Sequence, residues 1–196
     1  MTYLKRDARE EQLLEIAVGL LSSKGYRATT TRDIAREGGV ATGNISRLFG
    51  SLSALKQAAL YRINDRIVEE YEAASAGQTP LEGVLTLLGD PTDARNQHVL
   101  TLWREVAVLA AEEATLRDIH QHALRSWALS VERYISEHIQ HFRVRDTAER
   151  TAWRLIAFIT GMDLLQEMGA MSGSYEEMKH DLVRFIRTEL INDEVK

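Results

Sequence analysis

Two prolines in 196 residues are the tightest constraint on what this chain can fold into. Proline and glycine punctuate short elements, and a sandwich or barrel needs many turns. With so few interruptions, and with Ala, Leu, Glu and Arg frequent, the chain is expected to run in long helices. The fold class read from the sequence is all-α. The 44% hydrophobic content in a chain of this length allows a sizeable core without staples. There is no cysteine, which excludes disulfides, thiolate metal sites and a cysteine nucleophile. No window approaches the roughly 18 consecutive apolar residues of a membrane span, and Met1 to Glu11 is charged with no apolar signal core behind it. A cytoplasmic protein with no membrane partner is expected.

The net charge of −5 hides a division along the chain. Residues 1–62 hold ten Lys/Arg against six Asp/Glu, a balance of +4, and the remainder carries −9. A basic head on an acidic body attracts phosphate at one end only.

Leu13, Ile16, Ala17, Leu20 and Leu21 recur at three- and four-residue steps, which predicts a helix from Asp7 to Lys24 closed by Gly25. Thr29 and Thr30 offer hydroxyl caps to a short helix from Thr31 to Glu37, broken by Gly38 and Gly39. A second short helix follows from Thr42 to Leu48, with Val40, Ile45 and Phe49 as its apolar points. Two short helices across a glycine turn make a helix-turn-helix. Thr79-Pro80-Leu81-Glu82 reads as a capping box with proline at the first helical position. Asp90-Pro91-Thr92-Asp93 repeats the idea, and Thr115 with Asp118, Asp146 with Glu149 and Ser174 with Glu177 mark further starts. With Gly77, Gly89, Gly169 and Gly173 as stops, about nine helices are expected.

Read in order, Gly25-Tyr26-Arg27-Ala28-Thr29-Thr30-Thr31-Arg32-Asp33-Ile34-Ala35, then Gly39-Val40, Gly43, Ile45, Phe49-Gly50-Ser51 and Ala54-Leu55 resemble the DNA-binding region of the TetR family of bacterial repressors. Leu102-Trp103 and Arg125-Ser126-Trp127 are similar to its choline and betaine repressor subgroup. The resemblance implies an N-terminal three-helix DNA-binding domain over residues 1–52. A helical ligand-binding and dimerisation domain over 53–196 would follow, entered through a long connector from Ser53 to Ala74 and pairing through its last two helices.

The DNA-contacting set carried by the resemblance is Thr30, Thr31, Thr42, Gly43, Asn44, Ser46, Arg47, Leu48 and Lys56. Thr42, Asn44, Ser46 and Arg47 would face the major groove, where Arg pairs with guanine and Asn with adenine. Thr30 and Lys56 would hold phosphates, and Leu48 would meet a thymine methyl or pack inward. The chain departs from the family where Tyr is usual at Ser46, an aromatic or His at Leu48, Lys at Leu52, Ser at Ala41 and Ala at Gly38. Thr42 is expected to take over the cap lost at Ala41, and Gly38 to loosen the turn.

Trp103, Trp127, Trp153, Tyr134, Phe158 and Met162 fall on body helices. Large side chains at helical spacing usually fill a core, yet as a set they also suit a cavity for a small molecule. Trp103, Glu105, Trp127, Tyr134, Phe158 and Met162 form the candidate effector set, with Asp163 and Gln166 as further polar groups. A solvated helix face explains the polar members equally well.

Leu155, Ile156, Ile159, Met162 and Leu165 make one apolar stripe, and Met178, Leu182, Phe185, Ile186 and Leu190 another. Beside the resemblance they point to a four-helix homodimer interface centred on Leu155, Ile159, Met178, Leu182, Phe185 and Ile186.

His138 and His141 share a helical face, but no third metal ligand accompanies them. No metal or other cofactor is expected, and no catalytic constellation appears, so an enzyme is not indicated. The expected function is a ligand-responsive repressor, a homodimer on a palindromic double-stranded DNA operator, released by a small-molecule effector. The rival is a helical sensor of a metabolite or metal whose head, altered at Ser46 and Leu52, no longer represses.

Overall fold

Every element of the computed structural model is a helix among its described residues, 2–190, with side chains described outside 2–5 and 94–96. The order is α1 (Thr2–Lys24), α2 (Thr31–Gly38), α3 (Gly43–Phe49), α4 (Leu52–Ser75), α5 (Pro80–Leu88), α6 (Ala94–Ala110), α7 (Ala114–Glu137), a 3-10 turn (Ile139–His141), α8 (Ala148–Glu167) and α9 (Tyr175–Leu190). The all-α class is as expected, and none of these helices is long and apolar enough to cross a membrane.

The chain packs as two units, Met1–Arg66 with His98–Ala123, and Ile67–Gln97 with Leu124–Lys196. In the first, α1 buries Leu13, Ala17, Leu20 and Leu21, and it packs on both α2 and α3. Ile34, Ile45, Leu55 and Leu60 are fully buried from α2, α3 and α4. Each such side chain contributes about 1.5–3 kcal/mol by leaving water. Arg62 of α4 reaches Glu11 at 2.7 Å and Glu15 at 3.0 Å, and Arg66 reaches Glu15 at 2.7 Å, so α4 is also tied to α1 by charge.

Gly38 does not loosen the turn as expected. It is buried, and a Cβ there would stand 2.6 Å from Leu13 Cδ2, so its bareness lets α1 close onto the end of α2. The left-handed residue is Gly39, at φ 60° and ψ 36°, whose N–H returns to the carbonyls of Ala35 and Arg36.

In the second unit α9 packs on α8 and α5. Val84, Leu87, Val131, Ile135, Leu155, Ile159, Leu182 and Ile186 are all at or near zero exposure in one continuous core. The Thr79 and Ser174 capping boxes form as expected. Several expected starts move, among them α1, which begins at Thr2, and α7, which begins at Ala114 ahead of Thr115. Asp90 closes a turn by accepting from Thr92 N at 2.9 Å and from its hydroxyl at 2.7 Å, and the helix begins at Ala94. Thr147, not Asp146, caps α8 by accepting from Arg150 N, while Asp146 is drawn to Arg154 at 3.0 Å.

Candidate nucleic-acid interface

At seven residues α3 is too short to persist alone, so its placement depends on what anchors it. Ile45 is the anchor, fully buried in the first unit. Thr42, Gly43, Ser46 and Arg47 are exposed, and Asn44 and Leu48 are half-buried. Arg47 Nη2 donates to Asn44 Oδ1 at 3.1 Å, which joins the two long polar side chains of the helix on one face. The bond leaves the rest of the guanidinium fork and the Asn44 amide N–H groups open, the donors that purine edges in a major groove accept.

Thr42 does not supply the expected cap. Its backbone is already helical, at φ −53° and ψ −35°, and makes no side-chain cap bond, because a capping residue must be extended to reach back over the first turn. The helix is opened instead by Asn44 N to Ala41 O at 2.9 Å and Ile45 N to Thr42 O at 3.2 Å, and the Thr42 side chain stays exposed.

α2 is closed by a full capping box. Asp33 N donates to Thr30 Oγ1 at 3.2 Å, while Thr30 N and the Thr30 hydroxyl donate to Asp33 Oδ2 at 3.2 and 2.7 Å. Those bonds from Thr30, with Lys24 adding at 3.3 Å, hold the Asp33 carboxyl at about 2. Thr30 is exposed and Thr31, the first residue of α2, is half-buried. Thr29 is buried and donates to Gly25 O at 2.8 Å, so it closes the preceding turn.

Lys56 is a correction to the sequence reading. Only 7% exposed, it donates from Nζ to Tyr26 O at 2.5 Å and lies 4.5 Å over the Tyr26 ring, which leaves no ammonium face for a phosphate. Burial pulls the ammonium below the usual lysine range, and Glu105 and Glu113 oppose that pull. The cations exposed around α2 and α3 include Arg27 and Arg32, which the sequence reading left out, together with Arg47.

Glu105 is a second correction. Expected beside an effector, it accepts at its two carboxylate oxygens from the backbone N–H groups of Tyr26 and Arg27, each at 2.7 Å. Trp103 is half-buried in the same unit, its ring 6.2 Å from His120.

The other effector candidates, Trp127, Tyr134, Phe158 and Met162, lie in or against the core of the second unit. Trp127 Nε1 donates to Leu87 O at 2.7 Å, and Phe158 stacks on Phe185 with centroids 4.1 Å apart. Tyr134 stacks on His138 at 4.1 Å. Its hydroxyl, and that of Ser130 one turn earlier on α7, are buried without a hydrogen-bond partner among the described residues. Buried hydroxyls are nearly always bonded, so these two are exceptions in apolar surroundings. Asp163 is buried and Gln166 bonds Gly173 O at 2.9 Å. His138 turns Nδ1 toward Tyr134 O at 2.9 Å and His141 is exposed.

Most of the expected dimer residues lie inside the protomer. Leu155, Ile159, Met178, Leu182 and Ile186 are each at most 4% exposed within the single chain, whereas Phe185 is half-buried and stacks on the half-buried Phe158. The five buried side chains have almost no surface left for a partner, and Phe185 keeps some. The apolar groups left outward on α8 and just past its end are Trp153, Leu164, Leu165 and Met168, at 38%, 50%, 43% and 69% exposure. Periodicity alone places Leu165 on the inner stripe, and the structure turns it out.

Comparison with known proteins bears on the head first. The family described as bacterial regulatory proteins, tetR family, matches residues 13–61, a span that runs from α1 through α3 into α4. The HTH-type transcriptional repressor KstR2 of Rhodococcus jostii is 31% identical over 112 residues, so the match spans 55% of this chain and about half, 55%, of that relative. KstR2 of Mycolicibacterium smegmatis is 26% identical over 184 residues, 92% of this chain and 75% of the relative. A transcriptional regulator from Saccharomonospora viridis, solved in complex with choline, has the same fold, with TM-score 0.75, 24% identity and coverage of 94% and 97% of the two chains. A TetR-family regulator from Cytophaga hutchinsonii gives TM-score 0.76 at 21% identity, covering 95% and 97%. Residues 13–61 thus match the tetR family of bacterial regulatory proteins, and the helical fold of the whole chain is shared with solved structures that include a member of that family.

Proposed function

We propose that this chain is a homodimeric, ligand-responsive transcriptional regulator, a repressor that holds a palindromic double-stranded operator through α3 and is released by a small-molecule effector. The observation that carries the reading is the joined Asn44–Arg47 pair on a helix whose opposite side is anchored by Ile45. The basic balance of residues 1–62 favours phosphate at that end, and the two relatives reported above are named repressors. Residues 1–52 would read DNA, with Thr30, Thr31, Thr42, Gly43, Ser46 and Leu48 around the central pair, and 53–196 would serve effector and pairing.

For the effector, the support is that Trp127, Tyr134, Phe158 and Met162 lie in or against one apolar core of a unit whose Ser130 and Tyr134 hydroxyls are buried and unbonded among the described residues. An apolar molecule with a hydrogen-bonding group suits those surroundings. It must bind one arrangement of the protein better than the other, since equal affinity shifts nothing. For the dimer, the support is the outward row of α8, and a two-fold axis would set one such row against its copy.

The test is selection. Incubated with a pool of random duplexes at low salt, the protein should enrich an inverted repeat whose half-sites lie about 34–36 Å, or a multiple, apart. A retained fraction with no sequence enriched over the input contradicts the reading and returns the chain to a sensor without an operator.

A further inference from the structure

Glu105 and Tyr26 are 79 residues apart in sequence, yet one carboxylate gathers two consecutive backbone amides. Oε2 accepts from Tyr26 N and Oε1 from Arg27 N, both at 2.7 Å. Hydrogen bonds to an ionised acceptor are roughly twice as strong as neutral ones, and both oxygens are used at once. The amides lie in the turn between α1 and α2, just ahead of the Thr30 cap.

The same turn is held by α4. Lys56 donates to the Tyr26 carbonyl at 2.5 Å and covers its ring, so the N–H and the C=O of one residue are gripped by α6 and α4 separately. Gly25, at φ 85°, makes room for the arrangement, since a Cβ there would stand 2.6 Å from Glu105 Oε2. Tyr26, Thr29 and Lys56 are each at most 8% exposed. None of them is placed to touch DNA, and so much buried polar bonding around one turn has no part in reading bases.

We propose that Glu105 is a positioning residue, a latch that ties the turn ahead of α2 to α6 so that the seat of the helix-turn-helix and the position of α6 change together. α6 contributes residues to both units, 94–97 to one and 98–110 to the other. Bonds of 2.7 Å have little slack, so a shift or rotation of α6 releases both amides in one event. Closed and open latch are two states, and a ligand that favours either one biases the other's partners by the same factor. DNA on α3 should therefore be felt at α6. This coupling rests on the DNA-binding reading above.

Amide hydrogen exchange on the full chain tests it, in wild type, Glu105→Gln and Glu105→Ala, with and without the duplex enriched by selection. Without DNA, Glu105→Ala should speed exchange at Tyr26 and Arg27 by about tenfold or more, with Glu105→Gln between, while amides of residues 124–190 keep their wild-type rates. With saturating duplex, wild type should gain protection over residues 98–110. Glu105→Ala should bind the duplex and gain protection at α3 but not at α6. Unchanged rates at Tyr26 and Arg27, a general acceleration that reaches residues 124–190 in both variants, or equal α6 protection in wild type and variant overturns the latch. If wild type binds no duplex, the DNA-binding reading has failed, and the latch stands or falls on the DNA-free rates.

Discussion

The phenol of Tyr134 occupies the space that a Cβ on Gly83 would need, so α7 reaches the backbone of α5 through a residue with no side chain. Tyr134 is only 8% exposed, and its ring is stacked on His138, so it has nowhere to swing. Gly83→Ala is expected to destabilise the protein by about 1–3 kcal/mol through overpacking, although alanine is the better helix former. Tyr134→Phe removes a hydroxyl that has no partner among the described residues, so it should leave stability unchanged or raised, and it should lessen the loss caused by Gly83→Ala. Urea unfolding of the two single variants and the double variant checks this. An equal loss from Gly83→Ala in both backgrounds contradicts it.

The outward row on α8 gives a prediction about assembly. Leu164 is 50% exposed in the protomer, so Leu164→Glu should leave the fold intact while placing an unpaired charge in the proposed two-fold contact. Sedimentation at micromolar concentration should show a dimer for wild type and a monomer for the variant, with matching helical circular dichroism. Phe185→Asp should also lower unfolding stability, because the half-buried Phe185 is stacked on Phe158 against the core of the unit. A Leu164→Glu protein that still sediments as a dimer moves the contact elsewhere.

The cap of α2 has a pH signature. The Asp33 carboxyl sits at about 2, below an unfolded value near 3.8. A depressed carboxyl contributes its stability in full above the unfolded value and loses it as pH falls through the folded one. The Asp33 contribution should therefore hold above about pH 4 and fade toward pH 2. In a carboxyl NMR titration Thr30→Ala should raise the Asp33 value toward the ordinary range, because the Thr30 hydroxyl is the largest cause of the shift. An Asp33 that titrates unchanged in Thr30→Ala assigns the shift to the backbone N–H of residue 30 and to Lys24 instead.

What could be read in the sequence was what lies close along the chain. The Thr30, Thr79 and Ser174 caps, the proline at the head of α5 and the stops at Gly25 and Gly89 involve partners within a few residues, so spacing alone predicts them. Lys56 and Glu105 were misread for the opposite reason. Their partners are the backbone of Tyr26 and Arg27, 30 residues from Lys56 and 78 to 79 from Glu105, and backbone groups leave no mark in residue type. The apolar rows of α8 are ambiguous for a different reason. α8 is apolar on two sides, and periodicity identifies both rows without saying which one meets α5 and α9. The structure puts Leu155 and Ile159 inside and leaves Leu164 and Met168 outside.

Base reading by α3 is decided by how the enriched duplex binds to wild type and to the variant carrying Arg47→Ala with Asn44→Ala, measured by mobility shift at two salt concentrations. The joined side chains are exposed or half-buried and the anchor Ile45 is untouched, so the variant should fold as wild type does. Specific affinity should fall by about 1–3 kcal/mol for each base that the removed side chains read, while salt-dependent binding to unrelated duplex persists. A variant that binds the enriched duplex as tightly as wild type at both salt concentrations would contradict the assignment of α3 as the reading helix.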